Sequence, residues 1–259
     1  MSLDVETRAD IAGDLFEAYR SGTPLGSLRG SHDLTLADGY AIQRRVTDRR
    51  QPEEGPPIGY KVGCTSPGVQ EELGIDEPIF GRVPAETVRS GGPLDVDGLI
   101  DPRVEPEIAF VLGEDLDGTA TPIDVLAATR MIVPVIEVVD CRIDEWDVRA
   151  PEAVADNALA GRLVVGDCPT DPTEIDLAFE GVHVLKNGTL EATGIGADVL
   201  GTPVAAVRWL AGMLADRDAH LAEGDLVSTG SVTPMVPFEP GDVIEVRFGT
   251  IGSVSIHAT

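Results

Sequence analysis

The sequence predicts an α+β protein, with a short helical region over residues 1–55 followed by a β-dominated domain over 56–259. Three observations predict it. Apolar residues recur at helical spacing in the first fifty positions, short β-rich runs dominate thereafter, and turn dipeptides separate those runs. A chain of 259 residues and 27.3 kDa is long enough to bury one full core.

In the first helix Ile11, Leu15, Phe16 and Tyr19 follow the 3.6-residue period, and Gly22 closes it. A second helix opens with Thr35 as cap and Asp38 three residues on, then continues through Tyr40, Ile42 and Val46. QPEEGPP (51–57) reads as the linker, because prolines and a glycine interrupt both periods. Strands are expected at IGYKVG (58–63), VEPEIAFVL (104–112), MIVPVIEVVD (131–140), RLVVG (162–166), FEGVHVLKNG (179–188) and VIEVRFGTIGSVSI (243–256). Asn187-Gly188 and the Gly-Asp pairs at 224–225 and 241–242 supply turn chemistry. Two helices interrupt the strands, one starting near Thr121-Pro122 and one running from Pro203 through Val207, Leu210 and Leu214.

Charge narrows the choice of partners. Asp and Glu number 45 against 19 Lys and Arg, for a formal charge of −26. Phosphate is repelled nearly everywhere, so no nucleic-acid partner and no anionic membrane surface is expected. At 42% hydrophobic residues in patterned runs the chain is folded, not disordered. Only Lys61 and Lys186 are lysines. Such an acid excess with almost no lysine is expected of a halophile's protein, because concentrated salt screens the self-repulsion. Cys64, Cys141 and Cys168 form no CxxC, which argues against a disulfide framework or a zinc knuckle. No apolar run approaches the ~18 residues of a membrane span, and MSLDVETRAD carries no secretory signal, so a cytoplasmic location is expected.

The segment Pro102–Phe110 carries the most chemistry. Along a strand Glu105 and Glu107 project from one face, and adjacent carboxylates repel unless a proton or cation lies between them. Glu137 sits within the apolar run IVPVIEVVD, where a bare carboxylate is prohibitive to bury. Three carboxylates about one point suit a hard divalent ion such as Mg²⁺ or Mn²⁺. They equally suit a solvated strand face in an acid-coated protein, and an E-x-E pattern alone does not separate the two. Lys61 shares a strand face with Gly59 and Gly63, small neighbours that leave room for a ligand beside an ammonium able to act as acid or base. Ser228–Thr233 is a small-residue loop able to offer N–H and hydroxyl donors. The histidines at 32, 183, 220 and 257 flank none of these segments, which argues against a His-based nucleophile or a zinc hydrolase.

Taken together, the segments IGYKVGCTSPGVQEELGIDEPIFGRV (58–83), PRVEPEIAFVL (102–112), VPVIEVVDCRI (133–143), ADNALAG (155–161) and GADVLGTPVAAVRWLAGML (196–214), with YAIQ (40–43), resemble 2-hydroxypenta-2,4-dienoate (2-oxopent-4-enoate) hydratases. The same order is similar to that of 4-oxalocrotonate decarboxylases, which share the fumarylacetoacetate hydrolase-like fold. The resemblance spans nearly the whole chain. It implies a mixed β-roll for the second domain and a metal held by Glu105, Glu107 and Glu137. It also implies catalytic roles for Lys61, Asp76 and Ser231, with Thr229, Gly230, Arg82 and Asp140 binding a small 2-oxo or 2-hydroxydienoic acid. Hydration is the reaction expected, with decarboxylation and then acylpyruvate hydrolysis as alternatives; a non-catalytic metal-stabilised module is the reading from another class. Members self-associate, so a homo-oligomer is expected. This chain departs from the hydratase pattern at Ile79, Leu159 and Cys141, and the departures at Ile79 and Leu159 bear on the distal end of the substrate.

Overall fold

The computed structural model describes residues 2–29 and 31–259. Helix α1 (Val5–Ser21) is capped by Asp4 and ends at Gly22, whose φ of 62° is the left-handed turn anticipated there. Helix α2 (Leu36–Glu54) opens with the expected capping box, Thr35 and Asp38 each accepting from the other's backbone N–H. It runs on through Pro52, so the interruption read at 51–57 begins only at Gly55. Pro52 is tolerated because it falls in the last turn, where the Arg50–Glu54 ion pair at 2.7 Å and the Gly55 N–H bond to the Gln51 carbonyl hold the end.

Asp38 ties this region together. Fully buried, it accepts from Ser2 Oγ (2.8 Å), Leu3 N (3.1 Å), Arg8 Nε (2.9 Å), Thr35 N (3.1 Å) and Thr35 Oγ1 (2.7 Å). Burial pushes its pKa up, but the hydrogen bonds from Thr35, Ser2 and Leu3 prevail and hold it well below the usual carboxylate range. The stabilisation is therefore present above that range and lost as pH falls through the depressed folded-state pKa. Asp38→Ala is expected to lower stability by about 3 kcal/mol near neutral pH. The readout is a lower urea midpoint at unchanged slope, and a midpoint equal to wild type would refute it.

The remaining elements follow in order: β1 (Pro57–Gly63), α3 (Pro67–Leu73), β2 (Ile79–Pro84), β3 (Val88–Ser90), β4 (Gly92–Leu94), β5 (Arg103–Leu112), α4 (Pro122–Ala128), β6 (Thr129–Val139), α5 (Ala150–Ala155), β7 (Ala160–Val165), β8 (Gly181–Lys186), β9 (Thr189–Ile195), α6 (Pro203–Ala215), β10 (Leu226–Ser228), β11 (Val236–Pro237), β12 (Val243–Phe248) and β13 (Ser253–Ala258). The run read as one strand over 243–256 is a hairpin, broken where Gly252 takes φ of 96°. Helices α3 and α5 have no counterpart in the sequence reading. Both are short, seven and six residues with a proline near the start, too brief to display a period.

The strands form an eight-stranded sheet, β2-β1-β10-β5-β6-β7-β3 with β11 beside β5, and a five-stranded sheet, β4-β13-β12-β8-β9. One face of the larger sheet contributes Phe80, Ile108, Phe110, Ile132, Ile136 and Val164 to the main core, which also takes in α6 and the apolar face of the smaller sheet. The other face carries a smaller cluster, Val83, Ala109, Val133, Val135, Leu163 and Leu226, and beside it the polar residues of the site. The N-terminal helices close over one end. Tyr40 stacks on Phe80 at 4.7 Å, and Gln43 Nε2 donates to the carbonyls of Phe80 and Val154. Among the described residues no helix is long and apolar enough to cross a membrane.

Candidate active site

Register alone assembles the polar face. In the antiparallel pairing of β5 with β6, Glu105 lies opposite Glu137, and Glu107 follows two residues along on the same face. Strand β10 lies between β5 and β1, so that Ser228 faces Ala109 on one side and Lys61 on the other. Carboxylate oxygens of Glu105, Glu107 and Glu137 all come within 4.8 Å of one another. Glu107 is fully buried, Glu137 nearly so, and Glu105 keeps some exposure to the cavity.

Each carboxylate is held in place. Oε2 of Glu107 accepts from Ser228 Oγ (2.6 Å) and from the Gly230 N–H (2.9 Å). Gly230 is required there, since its φ is 104° and a Cβ would come within 2.4 Å of Thr65 Oγ1. Lys61 Nζ lies 3.1 Å from Glu137 Oε2 as an ion pair and donates to the Ala158 carbonyl at 2.9 Å. That carbonyl belongs to Asn157-Ala158-Leu159, three non-glycine residues in a row at positive φ (53°, 52° and 63°). The conformation costs roughly 1 kcal/mol or more per residue. Asn157 offsets it by acting as a strand surrogate, accepting from Arg82 N and donating to Arg82 O, both at 2.8 Å.

The electrostatics are those of a cation site. Burial pushes Glu105 up to about 7, with Lys61 pulling it down and Glu137 raising it further. Glu107 is driven well above its ordinary range by burial and by Glu137 and Glu105, against Lys61 and the Ser228 hydrogen bond. Burial opposes the charge on Lys61, but Glu137, Glu105 and Glu107 prevail and hold its pKa above normal. One ammonium does not balance three carboxylates, and the buried Glu107 Oε1 has no hydrogen-bond partner. An oxygen-ligated divalent cation fits this donor set, because it neutralises the excess charge and satisfies the orphaned oxygen.

Protons and cation must then compete. A carboxylate pKa raised on folding contributes stability below its unfolded value, near 4.5, that is lost as pH rises through about 7. A divalent cation is accordingly expected to bind with proton release, with affinity rising through pH 7, and to raise Tm more at pH 8 than at pH 5.5. Calorimetry in two buffers of different ionisation enthalpy measures the release. Binding that liberates no proton at pH 6 would contradict this.

Of the triad, Glu105 reaches a cavity of about 240 Å³, lined also by Lys61, Gly63 and Arg103 and walled by Val69, Leu73, Ile79, Val139, Trp146, Leu159 and Met235. Three larger depressions, about 470 Å³ over His183 and Arg247, about 740 Å³ beside Arg29 and Arg149 and about 360 Å³ beside Asp115 and Asp124, lack converging buried carboxylates. Chemistry, not volume, singles out the site. Of the small residues flanking Lys61, only Gly63 borders the cavity; the space beside Gly59 is filled by the Leu226 backbone.

Other expected residues are placed elsewhere. Asp76 is exposed in the bend after α3, outside the cavity, because the left-handed Gly74 ends that helix and turns the chain outward. Arg82 pairs with Tyr60 across β2 and β1, on the sheet face opposite Lys61, and its guanidinium lies over the Tyr60 ring. Ser231 turns its hydroxyl to the Thr233 carbonyl (2.7 Å). Thr229 is buried and donates to the Ile108 carbonyl (2.8 Å), and the Gly230 N–H is committed to Glu107, so this loop supports a ligand rather than a substrate. Asp140 is buried and accepts from the N–H groups of Ile100 (3.1 Å) and Asp101 (2.9 Å). Ile79 and Leu159 line the cavity, whereas Cys141 is buried in the helical cluster. Sequence reasoning passed over Arg103 and Trp146 and gave Ser228 no role of its own. Only Ser228 carried a signal, its place in the small-residue loop.

Comparison with known proteins agrees with this architecture. The chain is 40% identical over 259 residues to a 2-keto-4-pentenoate hydratase of Paraburkholderia xenovorans strain LB400, spanning 96% of this chain and 94% of that protein. It is 38% identical over 225 residues to the 4-oxalocrotonate decarboxylase of Pseudomonas sp. strain CF600, spanning 86% and 85%. The solved 4-oxalocrotonate decarboxylase of Pseudomonas putida G7, complexed with magnesium and adipate, superposes with a TM-score of 0.95 at 33% identity over 100% of this chain and 99% of that one. Residues 69–257 match the fumarylacetoacetate (FAA) hydrolase C-terminal model, and the chain belongs to that family.

Proposed function

We propose that this protein is a divalent-metal-dependent hydratase that adds water to a 2-hydroxy-2,4-dienoate, through its 2-oxo-enoate tautomer, to give a 4-hydroxy-2-oxo acid. The observation that carries it is the convergence of Glu105, Glu107 and Glu137 beside the buried Lys61, in a chain 40% identical to 2-keto-4-pentenoate hydratases. Glu105, Glu107 and Glu137 would hold Mg²⁺ or Mn²⁺, which supplies Lewis-acid polarisation of the substrate's oxygens. Lys61 Nζ, kept charged by the carboxylates and aimed by the Ala158 carbonyl, moves the proton of the dienol–enone tautomerisation. Ile79, Leu73, Val139 and Leu159 give that proton an apolar wall, on the side of the cavity facing Lys61.

Decarboxylation of a 4-oxalocrotonate-type acid is the second reading, favoured by the close superposition on such an enzyme. Both reactions draw on the same electron sink. Incubation with 2-hydroxypenta-2,4-dienoate and with 4-oxalocrotonate, plus Mg²⁺ or Mn²⁺, separates them when ultraviolet loss is followed alongside CO₂ release. Loss of the dienoate without CO₂ supports hydration, and CO₂ from the second substrate replaces it with decarboxylation. Pyruvate from an acylpyruvate would indicate hydrolysis. Retained metal affinity without turnover would indicate a non-catalytic module. We further propose a cytoplasmic homo-oligomer adapted to high salt, for which refolding yield should rise toward molar KCl.

A further inference from the structure

We propose that Arg103 is the carboxylate clamp of this site, the residue that grips a carboxylate of the bound acid and sets its orientation; this rests on the reading of the cavity as a 2-oxo acid site. Arg103, Glu105 and Glu107 occupy alternate positions of β5 and so project from one sheet face. Burial falls along that row from Glu107 through Glu105 to Arg103, whose side chain is 31% exposed. The row leads from the buried cation site to the more exposed Arg103, which lines the cavity. Two residues of strand cover about 7 Å, within the reach of a five- or six-carbon acid anchored at the triad.

The guanidinium is held ready. Its Cζ lies 4.1 Å from the centroid of the Trp146 ring, and Nη2 donates to Asp101 Oδ2 at 3.2 Å. The same Asp101 oxygen accepts from Trp146 Nε1 at 2.7 Å, so ring and guanidinium share one anchor. Asp101 is fixed in turn by its backbone N–H on Asp140, which makes Asp140 a positioning residue acting through Asp101. Trp146 holds a φ of 55°, a strained conformation that turns its indole into the cavity wall.

One donor in this arrangement has no acceptor. Arg103 Nε is buried without a hydrogen-bond partner, while the rest of the wall is mostly apolar. The other cation lining the cavity, Lys61, is committed to Glu137 and the Ala158 carbonyl. A carboxylate meeting Arg103 would satisfy the orphaned N–H and gain a charge-assisted hydrogen bond on a preorganised planar fork. Two sources share this chemistry: the acid group common to all 2-oxo acids, and a second carboxylate at the far end of a diacid.

The test uses the Mg²⁺-loaded full chain and two unreactive probes with the same head group, 2-oxopentanoate and 2-oxoadipate, with binding read by calorimetry. Arg103→Leu is expected to weaken binding by about 10- to 100-fold while Mg²⁺ affinity and Tm stay at wild-type values. An equal loss for both probes assigns Arg103 to the common acid group; a loss confined to 2-oxoadipate assigns it to the second carboxylate. Arg103→Lys, which keeps the charge without the fork, should recover part of the affinity. Unchanged binding of both probes in Arg103→Leu overturns the clamp while leaving the 2-oxo acid site standing. Failure of the wild-type protein to bind either probe overturns both.

Discussion

Lys61→Met is expected to lower turnover by about 10³-fold while divalent-metal affinity stays the same or tightens. Methionine is close to lysine in length and flexibility, so a side chain only 3% exposed keeps its packing. What disappears is the proton on Nζ and the positive charge 3.1 Å from Glu137. Removing that charge leaves three carboxylates uncompensated, which favours a cation and destabilises the metal-free protein. The variant should therefore show a lower Tm in EDTA, recovered on adding Mg²⁺, with no recovery of turnover. Lys61→Arg should fail as well, because a guanidinium stays protonated and cannot pass its proton on. Turnover within tenfold of wild type in Lys61→Met would remove the lysine from the mechanism.

Glu107→Gln is expected to weaken Mn²⁺ binding by about 100-fold or more, with activity at micromolar metal lost in parallel and little change in stability. The asymmetry of the Glu107 environment gives the reason. Oε2 accepts from Ser228 and Gly230, and the amide oxygen of glutamine can take over both bonds. The NH₂ group then replaces Oε1, the oxygen with no protein partner, and presents hydrogens where a cation would lie. An acceptor becomes a donor without disturbing the fold. Isothermal titration with Mn²⁺ measures the effect, and wild-type affinity in this variant would exclude Glu107 as a ligand.

Much of this site was legible along the chain because strand periodicity is local. Glu105 and Glu107 had to share a face once PRVEPEIAFVL was read as a strand, and Glu137 was conspicuous as a carboxylate within an apolar run. Lys61 stood out against a composition that otherwise uses arginine. The expected residues that lie outside the cavity share a different origin. Arg82 and Asp76 lie within a segment that resembles its family, yet strand alternation puts Arg82 on the far face and the turn after α3 puts Asp76 in solvent. Proximity in sequence to a functional strand does not specify the face. Arg103 was passed over because an arginine is unremarkable in this chain, and its interest lies in an unpartnered Nε and a Trp146 platform 43 positions away.

Sequence by itself determined the helical start, the strand-rich remainder, the acidic net charge, and the acid and lysine side chains available for chemistry. These follow from periodicity, turn chemistry and composition, which need no knowledge of what lies across a sheet. Only the tertiary structure decided that Glu137 sits opposite Glu105, that Ser228 and Gly230 hold Glu107, and that the strained Ala158 carbonyl aims Lys61. Strand register and long-range closure are set by packing over the whole sheet, so the identity of a residue's neighbour is a property of the fold rather than of its local sequence.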